Sequence, residues 1–135
     1  MTRYLLDTNA VSSLINDPLG QVGQRAALLG PDQVCTSIIA AAEIRYGVAK
    51  RGSADLATRA ELVLGSLMVL PFEPPMDTVY GTVRAGMEKA GTPIGDHDTL
   101  IASHALALDC TVVTANEREF RRIPGLRVEN WLRPA

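Results

Sequence analysis

The chain contains no apolar run near the roughly 20 residues that span a bilayer. It also lacks a basic N-terminal region followed by an apolar block, so neither insertion nor export is expected and the cytosol is the default compartment. Cysteine is scarce. Cys35 and Cys110 each lie within an apolar, strand-like run, where a thiol is a small buried hydrophobe, and no disulfide, metal or redox role is expected of either. Positive charge is not in excess: the formal net charge of −2 withholds the field of a dedicated nucleic-acid binder and leaves only local basic patches to meet phosphates. No repeat, low-complexity tract or linker divides the sequence. With 135 residues, 47% hydrophobic and 21% charged, residues 1–135 are expected to form one domain with a substantial core.

The patterning that is present alternates strands with helices. Arg3-Tyr4-Leu5-Leu6 is a short apolar strand ending in Asp7, and Val11, Leu14 and Ile15 follow at helical spacing until Asp17-Pro18 stops them. Gln21 to Leu29 is a second short helix, broken by Gly30-Pro31-Asp32. Val34-Cys35-Thr36 is a strand, and Ser37 is placed to N-cap a helix carrying Ile38, Ile39, Ala42, Glu43 and Tyr46. Ser53 to Leu67 is amphipathic. Val69 to Phe72 reads as a strand at an edge, or one that ends early, because Pro71 cannot donate a ladder hydrogen bond. Helices are expected over Met76 to Ala90 and again from the Asp96-His97-Asp98 region through Leu108, followed by the strand Thr111 to Thr114. A short helix over Glu117 to Arg122 and an edge strand over Arg127 to Trp131 complete the chain. The expected fold is a three-layer α/β/α sandwich around a mostly parallel sheet.

Parallel strands gather their carboxyl ends at one edge, where such sheets bind ligands. Asp7 lies at such an end, although Asp is also a good helix cap. Glu43 sits in a helical stretch otherwise almost free of charge, and a carboxylate there needs a partner, for which Arg45 is the simplest candidate. Asp96 and Asp98 flank a helix start, which needs one capping acid at most. If Asp7, Glu43 and Asp98 converge, their all-oxygen donor set suits a hard divalent cation, Mg²⁺ or Mn²⁺. Such a site suits phosphodiester hydrolysis by a metal-activated water. Asn9, Thr8, Thr114 and Asn116 would then be orienting groups around the acids.

Leu6-Asp7-Thr8-Asn9, Ser37-Ile38 with Glu43-Ile44-Arg45-Tyr46-Gly47, Gly95-Asp96-His97-Asp98-Thr99-Leu100-Ile101-Ala102, Val113-Thr114-Ala115-Asn116, Glu119-Phe120 and Pro124-Gly125-Leu126 to Trp131 occur in this order. Over essentially its whole length the chain resembles the PIN-domain ribonucleases, and among them the VapC-type toxins of bacterial toxin-antitoxin pairs. The resemblance implies a metal-dependent endoribonuclease, usually a homodimer, held inactive by a cognate antitoxin whose tail covers the acidic site. It assigns Asp7, Glu43 and Asp98 to the catalytic metal acids and leaves Asp96 as an auxiliary acid. Asn116 falls where many PIN domains carry a fourth Asp; an amide accepts a hydrogen bond but brings no charge.

Arg45, Lys50 and Arg51 follow Glu43 closely and form the expected RNA-binding patch, although basic residues also suit a helix C-terminus. Arg118, Arg121, Arg122 and Arg127 form a second basic group, for which a solvated face is the competing reading. His97 is expected in an exposed loop and His104 at the surface or in helix packing. Tyr46, Phe120, Met76 and Met87 are expected to pack. Two rivals remain at this level. A phosphatase-like enzyme with Asp7 as nucleophile is disfavoured by the lack of a second Asp two residues later. The other is a catalytically inactive PIN-like module that binds protein.

Overall fold

In the computed structural model, which describes residues 2–132, five short strands lie side by side in the order β3-β2-β1-β4-β5, all parallel. Along the chain these are β1 (Tyr4–Leu6), β2 (Val34–Ser37), β3 (Met68–Leu70), β4 (Thr111–Val113) and β5 (Val128–Glu129). Between them run α1 (Thr8–Asn16), α2 (Gln21–Leu29), α3 (Ile38–Arg51), α4 (Ala54–Ser66), α5 (Met76–Lys89), α6 (Asp96–Ala107) and α7 (Glu117–Phe120). β1 pairs in register with β2 on one side and β4 on the other, Leu5 standing beside both Cys35 and Val112.

Successive side chains on a strand point to opposite faces, and this period of two divides the core. Leu5, Cys35 and Val112 face one layer with Met87, Ile101, Ala105 and Phe120. Leu6, Val34 and Val113 face the other with Val11, Val22, Ile44 and Leu64. Both faces of the sheet are therefore covered, as a parallel sheet requires, and the three-layer expectation is met, with every strand pairing among the described residues parallel. Helix α3 straddles the two clusters, giving Ala40 to one and Ala41 and Ile44 to the other. It ends at Gly52, whose left-handed φ of 69° lets its N–H close onto the Val48 carbonyl.

Several local expectations are refined. Strand β3 stops before Pro71, which has no N–H for the ladder. Trp131 lies beyond β5 rather than within it and is buried against Tyr4, ring centroids 5.3 Å apart. Met76, Met87, Phe120 and both cysteines are buried as expected. Tyr46 is not: 66% of it is exposed, because its position on α3 points away from the sheet. His104 is fully buried rather than at the surface. Ser37 explains this, since its Oγ accepts the Ile39 N–H at 3.0 Å and lies 2.7 Å from His104 Nδ1, so its own proton can be donated to a neutral ring. One hydroxyl thus caps α3 and ties it to α6. Among the described residues no helix is long and apolar enough to cross a membrane.

Burial lowers the pKa of His104 from its ordinary 6.5, so the folded state excludes a proton that the unfolded chain accepts. Stability from this residue is complete above about pH 6.5 and is lost as pH falls toward the lowered value. Urea unfolding of the wild type and His104→Gln should show it: the wild-type advantage shrinks between pH 7 and pH 5, and a pH-independent difference would refute the neutral buried ring.

Candidate active site

Four carboxylates from four different elements collect beyond the carboxyl ends of β1 and β4. Asp7 follows β1 directly. Its backbone N–H donates to the Val113 carbonyl at 3.0 Å, and its Oδ1 accepts the Ala10 N–H at 2.9 Å, capping α1. The residue is 1% exposed. Burial pushes its pKa up from 3.8 to about 6; the Thr114 hydroxyl and the Ala10 N–H pull the other way, and the charges of Asp98 and Glu43 add to the rise. Asp7 is thus both helix cap and member of a charge cluster, and the two readings of it are compatible.

Glu43 projects from the middle of α3 and does not pair with Arg45. Its Oε1 accepts the Thr8 hydroxyl at 2.7 Å, and its Oε2 lies 3.1 Å from His97 Nδ1. Asp98 stands in the first turn of α6, where Gly95 takes the N-cap position and neither Asp96 nor Asp98 supplies a capping hydrogen bond. The pKa of Asp98 is raised, chiefly by burial and also by the charges of Glu43 and Glu119, while the Asn116 amide donates to its Oδ2 at 3.3 Å and, with His97, opposes the rise. Asp7, Glu43 and Asp98 therefore sense one another, and Thr114 and Asn116 touch two of them.

Other expected members lie elsewhere. Asp96 is exposed and lines a cleft with Arg84, Glu88 and Thr99 on the α5 side of α6. Asn9 is exposed and has no side-chain hydrogen bond to the acids. Arg45 pairs with Glu61 on α4, and Lys50 lies over the Tyr46 ring, 5.8 Å from its centroid. Arg51 lines a cleft that also includes Thr8 and Glu43. The second basic group is largely consumed internally: Arg121 bonds Glu117, Arg122 the Pro93 carbonyl, and Arg127 Asp109. Glu119 is a further acid at the site that the sequence pattern does not mark. It is carried by the four-residue helix α7, and only the docking of that helix puts its charge near Asp98; the Glu119-Phe120 pairing, with Phe120 fully buried, was the available signal. The fourth corner is therefore held by Asn116 together with a charge from Glu119.

Among the described residues the charges that act on Asp7 and Asp98 are those of Glu43, Glu119, His97 and the two acids themselves, with no arginine or lysine between them. Among the described residues no three acidic, histidine or cysteine side chains stand in an arrangement that could by itself hold a metal ion. Mg²⁺ keeps several waters and needs only one or two carboxylates, so the all-oxygen donors of these acids suit it chemically. Asp7, Asp98 and Glu43 are the residues that would hold it.

The PIN domain family model matches residues 4–126. This chain belongs to the PIN-domain family. Ribonuclease VapC2 of Rickettsia felis is 37% identical over 130 residues, spanning 95% of this chain and 97% of the relative. The tRNA(fMet)-specific endonuclease VapC of Salmonella typhimurium is 35% identical over 136 residues, spanning 97% and 99%. The crystal structure of VapBC2 from Rickettsia felis bound to a DNA fragment from its promoter superposes with a TM-score of 0.88 at 36% identity, covering 96% of this PIN domain and 99% of that chain.

The raised pKa of Asp7 fixes the sign of a measurable effect. A carboxyl that favours its proton in the fold stabilises below pH 3.8, and that contribution is lost as pH rises through about 6. Asp7→Asn keeps the cap, since Asn and Asp are equivalent N-caps. In chelator-treated protein the variant should be more stable than wild type at pH 7.5, by on the order of 2–3 kcal/mol, and should lose that advantage near pH 4. Calorimetry at both pH values checks it; a destabilised variant at pH 7.5 would contradict the raised pKa of Asp7.

Proposed function

We propose that this PIN domain is an endoribonuclease, the toxin of a toxin-antitoxin pair, and that it hydrolyses RNA phosphodiesters with Mg²⁺ or Mn²⁺ held by Asp7, Glu43 and Asp98. The observation that carries the reading is the cluster of mutually repelling carboxylates, one of them fully buried, on which no lysine or arginine acts among the described residues. The ribonuclease and endonuclease relatives, aligned over nearly the full chain, support the reaction class. A bound Mg²⁺ or Mn²⁺ would polarise the phosphate and lower the pKa of the attacking water.

The protein's own groups prepare that chemistry. Thr8 donates to one Glu43 oxygen and fixes the carboxylate's rotation. Thr114 donates to Asp7, and the Asn116 amide to Asp98, so each acid keeps a defined direction before ligand arrives. His97, exposed at the mouth, sets its Nδ1 3.1 Å from Glu43 Oε2 and so adds a second polar contact to that carboxylate. Arg51, on the cleft shared with Glu43, is placed to meet a substrate phosphate, whereas Arg45 and Lys50 already have local partners.

The same reading includes a cognate antitoxin and a second copy of the chain as partners. Exposed Tyr46 helps line an apolar depression of about 640 Å³ between α3 and α6, with Ile39, Ala42 and Leu100 among its other walls, which supports a protein-covered face there.

Glu43→Gln and Asp98→Asn should each lower RNA cleavage by at least about 100-fold with unchanged circular dichroism. EDTA should abolish wild-type cleavage and added Mg²⁺ restore it. Cation-independent cleavage would overturn the metal assignment, and no cleavage in any cation would leave the inactive protein-binding module. Tyr46→Asp should shift the wild-type dimer to monomer in light scattering; an unchanged mass would remove this face from the interface.

A further inference from the structure

Beside the acids lies a second cavity of about 240 Å³ between α1, α3 and α4. Thr8 and Glu43 form its inner wall, so it opens directly off the proposed cleavage site. Its floor is apolar, built from Ile15, Ile44, Val48 and Leu56, while Ser12, Asn16 and Arg51 stand around it. Among the described residues the side chains of Ser12, Asn16 and Arg51 have no hydrogen-bond or ionic partner. An apolar slot ringed by unspent donors, acceptors and one cation is complementary to a flat, polar-edged, anionic ligand.

Gly47 adds an independent observation. It occupies the interior of α3, where glycine is destabilising relative to alanine, and it lines this cavity. A Cβ built there would meet nothing within 4 Å. No contact inside the protein therefore demands the glycine. A side chain at 47 would instead stand in the cavity and hold any ligand off the helix backbone.

We infer that this cavity receives one unpaired nucleobase of the RNA substrate, laid against the α3 backbone at Gly47, with Arg51 on a neighbouring phosphate. The inference rests on the endoribonuclease reading and specifies its substrate as single-stranded at the cut. The cavity is smaller than the roughly 300–1,000 Å³ of pockets that enclose drug-sized ligands, which suits a single ring system and not a stack of bases. Bases paired in an A-form helix cannot reach such a slot, whereas splayed, unstacked bases are the usual targets of RNA recognition. Ser12 and Asn16 would read the base edge. Arg51 would hold the backbone in register with the acids.

The test uses a labelled single-stranded oligoribonucleotide with a mapped cleavage site and a counterpart made abasic at each nucleotide flanking that site. Gly47→Leu fills the slot with a good helix former, so folding is preserved. For Gly47→Leu, KM should rise at least about 10-fold with kcat changed less than about three-fold, and one abasic position should cost the wild type a similar factor. The two losses should not add when variant and abasic RNA are combined, which marks them as one interaction. Additive losses, or an unchanged KM, would overturn the inference. If Gly47→Leu spares RNA cleavage but abolishes inhibition by the antitoxin, the slot takes a peptide and the nucleobase assignment falls. Anisotropy of the same oligonucleotides on the Asp7→Asn background separates this proposal from the one beneath it. If the wild type cleaves no RNA, anisotropy with an uncut oligoribonucleotide made abasic at each position in turn decides: binding weakened by Gly47→Leu and by one abasic position sinks the nuclease reading and keeps the slot.

Discussion

The structure depends on a concentration of negative charge that the fold holds together against its own repulsion. Asp7 is removed from water, Asp98 is half-buried, and Glu43 and Glu119 add their fields nearby. Carboxylates left to themselves would separate or take up protons, and the raised pKa values of Asp7 and Asp98 record that tendency. What prevents dispersal is geometry: each acid belongs to a different element, and each element is fixed by apolar packing that the acids do not share. The core works against the site electrostatically and is strong enough to do so.

The two-faced sheet is the means. Alternate residues of β1, β2 and β4 anchor opposite helical layers, so the strand ends cannot shift without disturbing both cores. The buried Thr36 hydroxyl donates to the Leu6 carbonyl at 2.7 Å, one residue before Asp7, and Ser37 links α3 to α6 through His104. Polar groups just behind the acids thus set the spacing between the elements that carry them.

The sequence made legible whatever depends on local periodicity. The strands of the sheet, the cap at Ser37 and the lone acid on the apolar run around Glu43 could all be read from neighbours a few residues away. Asp7, Glu43 and Asp98 followed because acids are conspicuous where packing is otherwise apolar. What failed depends on tertiary docking. Glu119 sits on a single helical turn, too short to show a face. His104 looks like any polar residue on a helix until α3 presents Ser37 to it. Tyr46 has core-like chemistry, and only the orientation of α3 leaves it outside. Arg45 lies two residues from Glu43, yet successive helical residues diverge by about 100°, so it reaches Glu61 on the next helix instead.

The double employment of Asp7 has a genetic consequence. Its oxygen starts α1, while its charge belongs to the acid cluster, and an amide can do the first without the second. Lesions that silence this chain therefore fall into two kinds. A core lesion removes the protein and leaves its partners unoccupied. On the proposed function, an Asp7→Asn allele would leave a folded, silent copy with its partner-binding faces intact, able to go on sequestering whatever binds there. In a cell carrying both forms, the silent copy would then compete with the active one for the same restraint, and its presence would release active protein rather than merely dilute it.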